Sequence, residues 1–180
     1  MQTLNSSFVM SKSWVRVPFP AFIWRYVMPL IIRHGDITEM KVDAIVNAAN
    51  TKLQQGGGVC GAIFKAAGAD KLQEECNRFK GCPIGYAVIT KGYDLPAPYI
   101  IHTVGPVWHG GTMGEPFLLE SCYRKSLELA DTYGMTSIAF PLISSGIYGY
   151  PKEEARKIAE DTINQFCENH EMDVYLMIYE

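Results

Sequence analysis

Short apolar runs alternate along this chain with segments of helical periodicity. The strand-like runs lie, in chain order, at 30–33, 42–48, 87–90, 99–104, 137–141 and 174–178. Between them, apolar residues recur every three or four positions, as on the buried face of a helix. The clearest stripe comprises Leu118, Leu119, Cys122, Tyr123, Ser126, Leu127 and Ala130. Strands that alternate with helices predict an α/β layered domain with a largely parallel sheet.

A glycine-rich loop follows the second predicted strand, Val42–Ala48. A polar turn with Asn47 and Asn50 leads into Gly56-Gly57-Gly58, and a helix is predicted over Val59–Ala67. Glycine allows close backbone approach, and the free N–H groups and dipole of a helix N-terminus attract anions. The spacing matches neither a P-loop nor a Rossmann fingerprint. A run of three glycines is also typical of a flexible connection, so both interpretations stay open at this point.

A second loop with the same placement follows the strand predicted at Ser137–Pro141. It runs from Leu142 to Tyr150, and Pro151 suits the first turn of the helix that comes next. In open α/β sheets, ligands bind beyond the carboxyl ends of the strands. The two loops are therefore predicted to converge on one crevice.

Composition and charge limit which binding partners and which cellular compartment are expected for this protein. With 180 residues, 48% of them apolar and 19% charged, the chain is predicted to form one soluble domain. Sixteen basic and 19 acidic residues give a net charge of −3 without a basic run, which argues against tight non-specific binding to nucleic acid. Five cysteines without C-x-x-C spacing suggest neither a disulfide framework nor a zinc site. Reduced thiols in a cytoplasmic protein are the simpler interpretation.

The first 27 residues are predicted to be an extension of uncertain order. The apolar stretch from Phe19 to Ile32 is broken by Pro20, Arg25 and Pro29 and is too short to span a bilayer. It also lacks the unbroken apolar core and the cleavage site of a signal peptide. The domain proper is predicted to begin near Met28.

Five motifs in fixed order carry a family resemblance. They are GDIT (35–38), VDAIVNAAN (42–50), GGGVCGAIFKAAG (56–68), YIIHTVGPVW (99–108) and AFPLISSGIYGYP (139–151). Together they resemble a macrodomain of the MacroD type, the branch that includes bacterial O-acetyl-ADP-ribose deacetylases. The resemblance covers residues 28–180 and implies a three-layer α/β/α fold with a central mixed, largely parallel sheet. It also implies a helix after the last strand, which the sequence up to Glu180 does not contain.

The resemblance implies an ADP-ribose cleft and gives each segment a role. Asp36 would accept a hydrogen bond from the adenine amino group, with Ile37 beside it; otherwise Asp36 is a turn or cap residue. The distal ribose and diphosphate would be wrapped by backbone N–H groups of Gly56, Gly57, Gly58 and Val59. A second phosphate wall would be formed by Ser144, Ser145, Gly146, Ile147 and Tyr148, with the Tyr148 ring over the distal ribose.

Three further polar positions are weighed against structural roles. Asn50 would bind the distal ribose and otherwise shapes the turn. Asn47 is expected to support the loop. His102 lies in an apolar strand and is expected to be a core histidine with satisfied ring nitrogens rather than a catalytic base. Trp108 and His109 are placed at the cleft edge without a role.

Cys60 departs from the family pattern. The MacroD branch usually has an aspartate here, which is assigned to orienting or activating the attacking water. A neutral thiol cannot accept a proton as a carboxylate does. Other macrodomain branches tolerate Cys or Ala at this position and still hydrolyse ADP-ribose linkages, with the substrate's own phosphate thought to help activate the water. Catalysis is accordingly assigned to Asn50, the Cys60 position and Tyr148.

The resemblance leaves two functions open. The first is a hydrolase that removes mono-ADP-ribose from acidic side chains of proteins, or acetate from O-acetyl-ADP-ribose. The second is a non-catalytic ADP-ribose reader, in which Cys60 replaces the usual aspartate and turnover is lost. An RNA-binding role is not supported by this acidic chain. No metal ion or cofactor is implied, and no membrane partner is expected.

Overall fold

A six-stranded sheet forms the centre of the fold in the computed structural model, which describes residues 30–179. The strands are β1 Leu30–His34, β2 Ala44–Ala48, β3 Ala87–Lys91, β4 Tyr99–Thr103, β5 Ser137–Pro141 and β6 Asp173–Ile178. Their order across the sheet is β1-β6-β5-β2-β4-β3. All neighbours run parallel except β3, which pairs antiparallel with β4 at one edge.

Four helices cover the two faces of this sheet. They are α1 Gly58–Ala67, α2 Ala69–Cys76, α3 Glu115–Thr132 and α4 Lys152–Cys167. Helices α3 and α4 share one apolar cluster with Ala44 and Val46 of β2, whereas α1 and α2 share the other cluster with Ile45. Because successive strand residues point to opposite faces, β2 contributes to both clusters. The predicted three-layer α/β/α fold with a mixed, largely parallel sheet is confirmed.

Side-chain and backbone contacts explain where the element boundaries differ from the predicted ones. β2 begins at Ala44 because the carboxylate of Asp43 accepts hydrogen bonds from the backbone N–H groups of Thr136 (2.8 Å) and Ser137 (3.0 Å), outside the ladder. The second charged helix, expected from the sequence to run from about Asp70 to Phe79, ends at Cys76 as α2. The N–H of Phe79 bonds to the carbonyl of Cys76, three residues back, so the chain tightens into a turn there.

The predicted extension at residues 1–27 lies outside the described residues. Within residues 30–179, no helix is long and apolar enough to cross a membrane. In the same range, no cluster of three or more His, Cys, Asp or Glu side chains has the arrangement of a metal site.

Candidate functional site

The parallel strands deliver their following loops to the same edge of the sheet. β1 leads to Asp36, β2 to the turn at Asn50 and the glycine loop, and β5 to the loop that begins at Ser144. β2 and β5 are neighbours at the centre of the sheet, so their loops lie side by side. This edge is where an open α/β sheet binds ligands.

The N-terminus of α1 presents unpaired backbone donors. Gly57 is the N-cap, and it supplies no side chain to bond the first-turn N–H groups. Gly58 has a φ of +57°, a conformation that favours glycine. Within the described chain, the N–H groups of Gly56, Gly57, Gly58 and Val59 make no backbone hydrogen bond outside the helix. Together with the helix dipole, these donors form a site suited to an anion.

A fourth glycine, Gly61, allows the glycine loop to fold back onto α1. A β-carbon at Gly61 would lie 2.6 Å from the carbonyl oxygen of Gly56, a distance that no side chain tolerates. The sequence analysis did not single out this residue, because its requirement comes from a close approach that only the folded loop reveals.

The side chain of Asn50 makes hydrogen bonds within the turn that follows β2. Its Nδ2 donates to the carbonyl of Gln54 at 2.7 Å, and its Oδ1 accepts from the N–H groups of Lys52 (3.2 Å) and Gln54 (3.1 Å). The turn role that the sequence analysis left open is therefore present. One Nδ2 hydrogen is left over for a ligand, because the amide carries two.

The thiol of Cys60 lies beneath the glycine loop. It is 5% exposed, and its Sγ lies 3.6 Å from Asn47 Nδ2 and 3.8 Å from the carbonyl oxygen of Gln54. Asn47 is fully buried, and its Oδ1 has no partner within the described residues. The prediction that Asn47 supports the loop from below agrees with this placement.

His102 is a core residue with both ring nitrogens partnered, as predicted. Nδ1 lies 3.0 Å from Asn47 Nδ2, and Nε2 lies 2.9 Å from Thr90 Oγ1. The residue is fully buried, and burial lowers the pKa of the imidazole from 6.5 to about 4. It is therefore neutral at physiological pH.

We expect the free energy of unfolding to decrease as the pH is lowered, because His102 is buried in its neutral form. In the unfolded chain, the imidazole takes up a proton below pH 6.5, whereas in the folded chain it does so only near pH 4. The stabilisation is present above pH 6.5 and is lost as the pH falls towards 4. Between pH 7.5 and 4.5, urea unfolding should show a loss of about 2 to 3 kcal/mol that the His102→Asn variant lacks. Equal losses in both proteins would contradict this origin.

The loop after β5 forms the opposite wall of the cleft. Ser144 has a φ of +63°, and its Oγ is buried without a partner within the described residues. The hydroxyl of Ser145 donates to the carbonyl of Leu142 at 2.8 Å, which fixes the bend. Beyond it, the N–H groups of Gly146, Ile147 and Tyr148 make no backbone hydrogen bond in the described chain. They form a second row of donors.

The glycine loop and the loop after β5 approach each other at Gly57 and the side chain of Ile147. A methyl group at Gly57 would lie 3.3 Å from Cδ1 of Ile147, and the Ile147 side chain is 81% exposed. The glycine loop and the loop after β5 are thus in reach of one another at these two residues. The predicted convergence of the two loops on one crevice agrees with this geometry.

A buried carboxylate supports this wall from outside. The N–H of Trp108 donates to the carbonyl of Tyr148 at 2.9 Å, and the Trp108 ring packs on Tyr150. The loop that carries Trp108 is closed by Glu115, which accepts from the N–H groups of His109 (2.9 Å), Gly111 (3.2 Å) and Met113 (2.6 Å). Burial opposes ionisation of Glu115, but these backbone donors outweigh it and lower the pKa of the carboxyl.

We expect Glu115→Gln to lower the stability of the fold and the affinity of the cleft for its ligand, without abolishing binding. The amide keeps the shape of the side chain but replaces one acceptor oxygen with a donor, which then faces backbone N–H groups. The melting temperature should fall, and affinity for the ligand of the cleft should drop severalfold, because Tyr148 loses the support of the Trp108 loop. Differential scanning fluorimetry and calorimetry would measure the two effects. As a control, Glu120→Gln on the same helix breaks a surface pair with Arg124 and should change neither.

Asp36 and Ile37 follow β1, at the same edge of the sheet as the glycine loop and the loop after β5. Asp36 Oδ1 accepts from the N–H and the hydroxyl of Thr38, each at 2.8 Å, and so caps the short 3-10 turn Ile37–Glu39. This turn packs against α1 and β5. The Ile37 side chain is 4% exposed and belongs to the core, whereas Asp36 is exposed with Oδ2 left for an outside donor.

These features define a three-layer α/β domain whose cleft is suited to a phosphorylated ligand. In a comparison with known protein families, residues 46–159 match the family described as Macro domain. The chain belongs to the Macro domain family.

Two relatives are about half or more identical to this chain. It is 59% identical over 150 residues to a Macro domain-containing protein of Methanosarcina mazei, covering 82% of this chain and 80% of the relative. It is 49% identical over 155 residues to an O-acetyl-ADP-ribose deacetylase of Citrobacter koseri, covering 83% and 87%.

Solved structures share the fold. The Oceanobacillus iheyensis macrodomain with ADP is 43% identical and superposes with a TM-score of 0.79, over 83% of this chain and 82% of that one. The Trypanosoma brucei macrodomain in complex with ADP-ribose is 43% identical with a TM-score of 0.77, over 84% of this chain and 63% of that one.

Proposed function

We propose that this protein binds ADP-ribose and hydrolyses ADP-ribose adducts. Its substrates would be proteins with mono-ADP-ribose on acidic side chains, or O-acetyl-ADP-ribose. The observation that carries the proposal is that two sets of N–H groups without backbone partners, at Gly56–Val59 and at Gly146–Tyr148, lie on loops that approach each other at Gly57 and the side chain of Ile147. Two such sets of N–H groups close together suit the two phosphates of a diphosphate.

Similar proteins support the same ligand. Macrodomains that are 43% identical to this chain have been solved with ADP and with ADP-ribose. Two relatives about half identical to it are named O-acetyl-ADP-ribose deacetylases. The ligand chemistry of the proposal thus agrees with the donor geometry of the cleft.

The proposed reaction relies on positioning. The donor rows hold the diphosphate, and the Tyr148 ring and the remaining Asn50 hydrogen fix the distal ribose. Asp36 Oδ2 accepts from the adenine amino group. A water held between phosphate and sugar then attacks the ribose carbon that carries the acyl group. The bond from that carbon to the acyl oxygen breaks, the carboxylate or acetate leaves with the bonding electrons, and one proton of the water leaves with it. Most of the rate gain comes from a fixed geometry and from donors already aimed at the developing charge.

A second candidate function is an ADP-ribose reader without turnover. The observation that favours it is Cys60, because a buried thiol replaces the carboxylate that the MacroD pattern uses to activate water. Reader and hydrolase would bind the same ligand and differ only in turnover. The cleft geometry is equally compatible with both.

One sample tests both functions. Calorimetric titration with ADP-ribose comes first, and release of ADP-ribose from a protein auto-modified on acidic residues is then followed on the same preparation. Binding with release supports the hydrolase, and binding without release supports the reader. Absence of binding by a protein that melts cooperatively would overturn the cleft assignment. AMP, which lacks the second phosphate and the distal ribose, serves as the matched ligand control and should bind much more weakly.

A further inference from the structure

Four buried polar side chains form a hydrogen-bonded chain from β3 to the first turn of α1. Thr90 Oγ1 lies 2.9 Å from His102 Nε2, His102 Nδ1 lies 3.0 Å from Asn47 Nδ2, and the same Nδ2 lies 3.6 Å from Cys60 Sγ. All four residues are at most 5% exposed. Polar groups buried in this way impose a fixed arrangement, since each must find its partner inside the protein.

The orientation of the Asn47 amide sets the hydrogens in this chain. With Nδ2 facing His102, the amide nitrogen donates, so His102 Nδ1 accepts and the ring proton sits on Nε2. Nε2 then donates to Thr90 Oγ1, and the Thr90 hydroxyl donates to the carbonyl of Lys91 at 3.3 Å. The second Nδ2 hydrogen of Asn47 faces the sulfur of Cys60, which leaves the S–H of Cys60 to donate to the carbonyl of Gln54 at 3.8 Å.

The chain ends on the carbonyl that orients Asn50. Gln54 O accepts from Cys60 and also from Asn50 Nδ2, the latter at 2.7 Å. The Asn50 amide thereby keeps one hydrogen on Gln54, and the other has no hydrogen-bond partner among the described residues. Cys60 also supports the loop from below, because its Sγ lies 3.7 Å from where a β-carbon of Gly56 would stand.

We propose that Asn47 and His102 are positioning residues which, through Cys60 and the Gln54 carbonyl, fix the orientation of the Asn50 amide in the cleft. The effect on turnover rests on the proposed hydrolase function, whereas the effect on Asn50 itself does not. A purely structural role for this buried chain would stabilise the fold but would leave the Asn50 amide unchanged once a variant has folded.

Two pairs of variants separate these roles. His102→Asn keeps an acceptor near the place of Nδ1, and His102→Leu removes it. Thr90→Ser keeps the acceptor for Nε2, and Thr90→Val removes it with almost no change of volume. The Thr90 pair decides the matter if His102→Leu does not fold.

The first readout is the nuclear magnetic resonance signal of the Asn50 side-chain amide, identified by its absence in Asn50→Asp. We expect this signal to move in His102→Leu and Thr90→Val and to stay near its wild-type position in His102→Asn and Thr90→Ser. An unmoved signal in folded Leu and Val variants would overturn the proposal. This readout does not depend on turnover, so it decides the proposal even if the protein proves to be a reader.

The second readout is the split between kcat and affinity. We expect kcat to fall about tenfold in His102→Leu, because a misplaced Asn50 misaligns the distal ribose. ADP-ribose affinity should change less than about twofold, since the backbone donor rows supply most of the binding. His102→Asn should recover most of the rate. If the wild-type protein is catalytically active, equal kcat values for His102→Leu and His102→Asn would contradict the proposal.

Discussion

Replacing Gly57 with aspartate is expected to abolish most ADP-ribose binding while leaving the fold at least as stable. Gly57 is the N-cap of α1 and has an extended conformation (φ −90°, ψ −177°) that aspartate adopts readily. Its carboxylate would bond the first-turn N–H groups that the wild-type protein leaves unpaired. The same charge would lie where the diphosphate binds, and repulsion of about 3 kcal/mol corresponds to about a hundredfold loss of affinity.

Asparagine at the same position isolates the contribution of charge. Gly57→Asn also caps the helix and has nearly the same shape, so it meets Ile147 in the same way. We expect Gly57→Asn to bind ADP-ribose about a hundredfold more tightly than Gly57→Asp, with both variants melting at or slightly above the wild-type temperature. Calorimetry and thermal melts measure this. Wild-type affinity in Gly57→Asp would show that the N-terminus of α1 does not hold the phosphates.

Replacing Cys60 with aspartate is expected to raise kcat by about a hundredfold, the lower end of the range that a positioned general base contributes. The carboxylate would accept the N–H of Asn47 and could orient a water, which the thiol cannot do. Affinity for ADP-ribose should change little, since the donor rows are untouched. The carboxylate would also face the carbonyl of Gln54, where the thiol supplies a hydrogen, so the melting temperature should fall.

The control for this variant is Cys60→Asn, which has the same shape but no charge. Its amide can donate to Gln54 O, so it should fold well and should not gain rate. Single-turnover release of ADP-ribose from the modified substrate measures the chemical step directly. If folded Cys60→Asp turns over no faster than the wild-type protein, the rate is not limited by a missing carboxylate at this position.

Much of the fold could be predicted from the spacing of apolar residues, because each strand and helix carries the pattern of its own buried face. β2, β4 and β5 read as continuous apolar runs since both of their faces are covered by helices, and β5 was predicted to the residue. Boundaries were less predictable where a distant partner decides them. The start of β2 depends on contacts from Asp43 to Thr136 and Ser137, about ninety residues away, which no local pattern contains.

The candidate site was predictable in its glycines and far less so in its polar residues. The Gly56–Gly58 run carries a local backbone signal, but Asn47, Asn50 and His102 are ordinary polar residues in the sequence. Asn47 lies in β2 and could have been exposed; the structure buries it against His102 of the neighbouring strand β4. Glu115 likewise reads as an acid in the first turn of a helix, and its three backbone bonds depend on how the preceding loop closes.

The order of strands across the sheet bears on how the cleft assembles during folding. β2, β4 and β5 lie in the middle of the sheet, whereas β1 is held at its edge by pairing with β6, which joins Leu30 to Val174 near the opposite end of the described chain. Closing so long a loop is entropically costly and slow, so β1 is expected to dock last. The diphosphate end of the cleft would then form early in folding. The end at Asp36, which follows β1, would be completed only when the two ends of the domain meet.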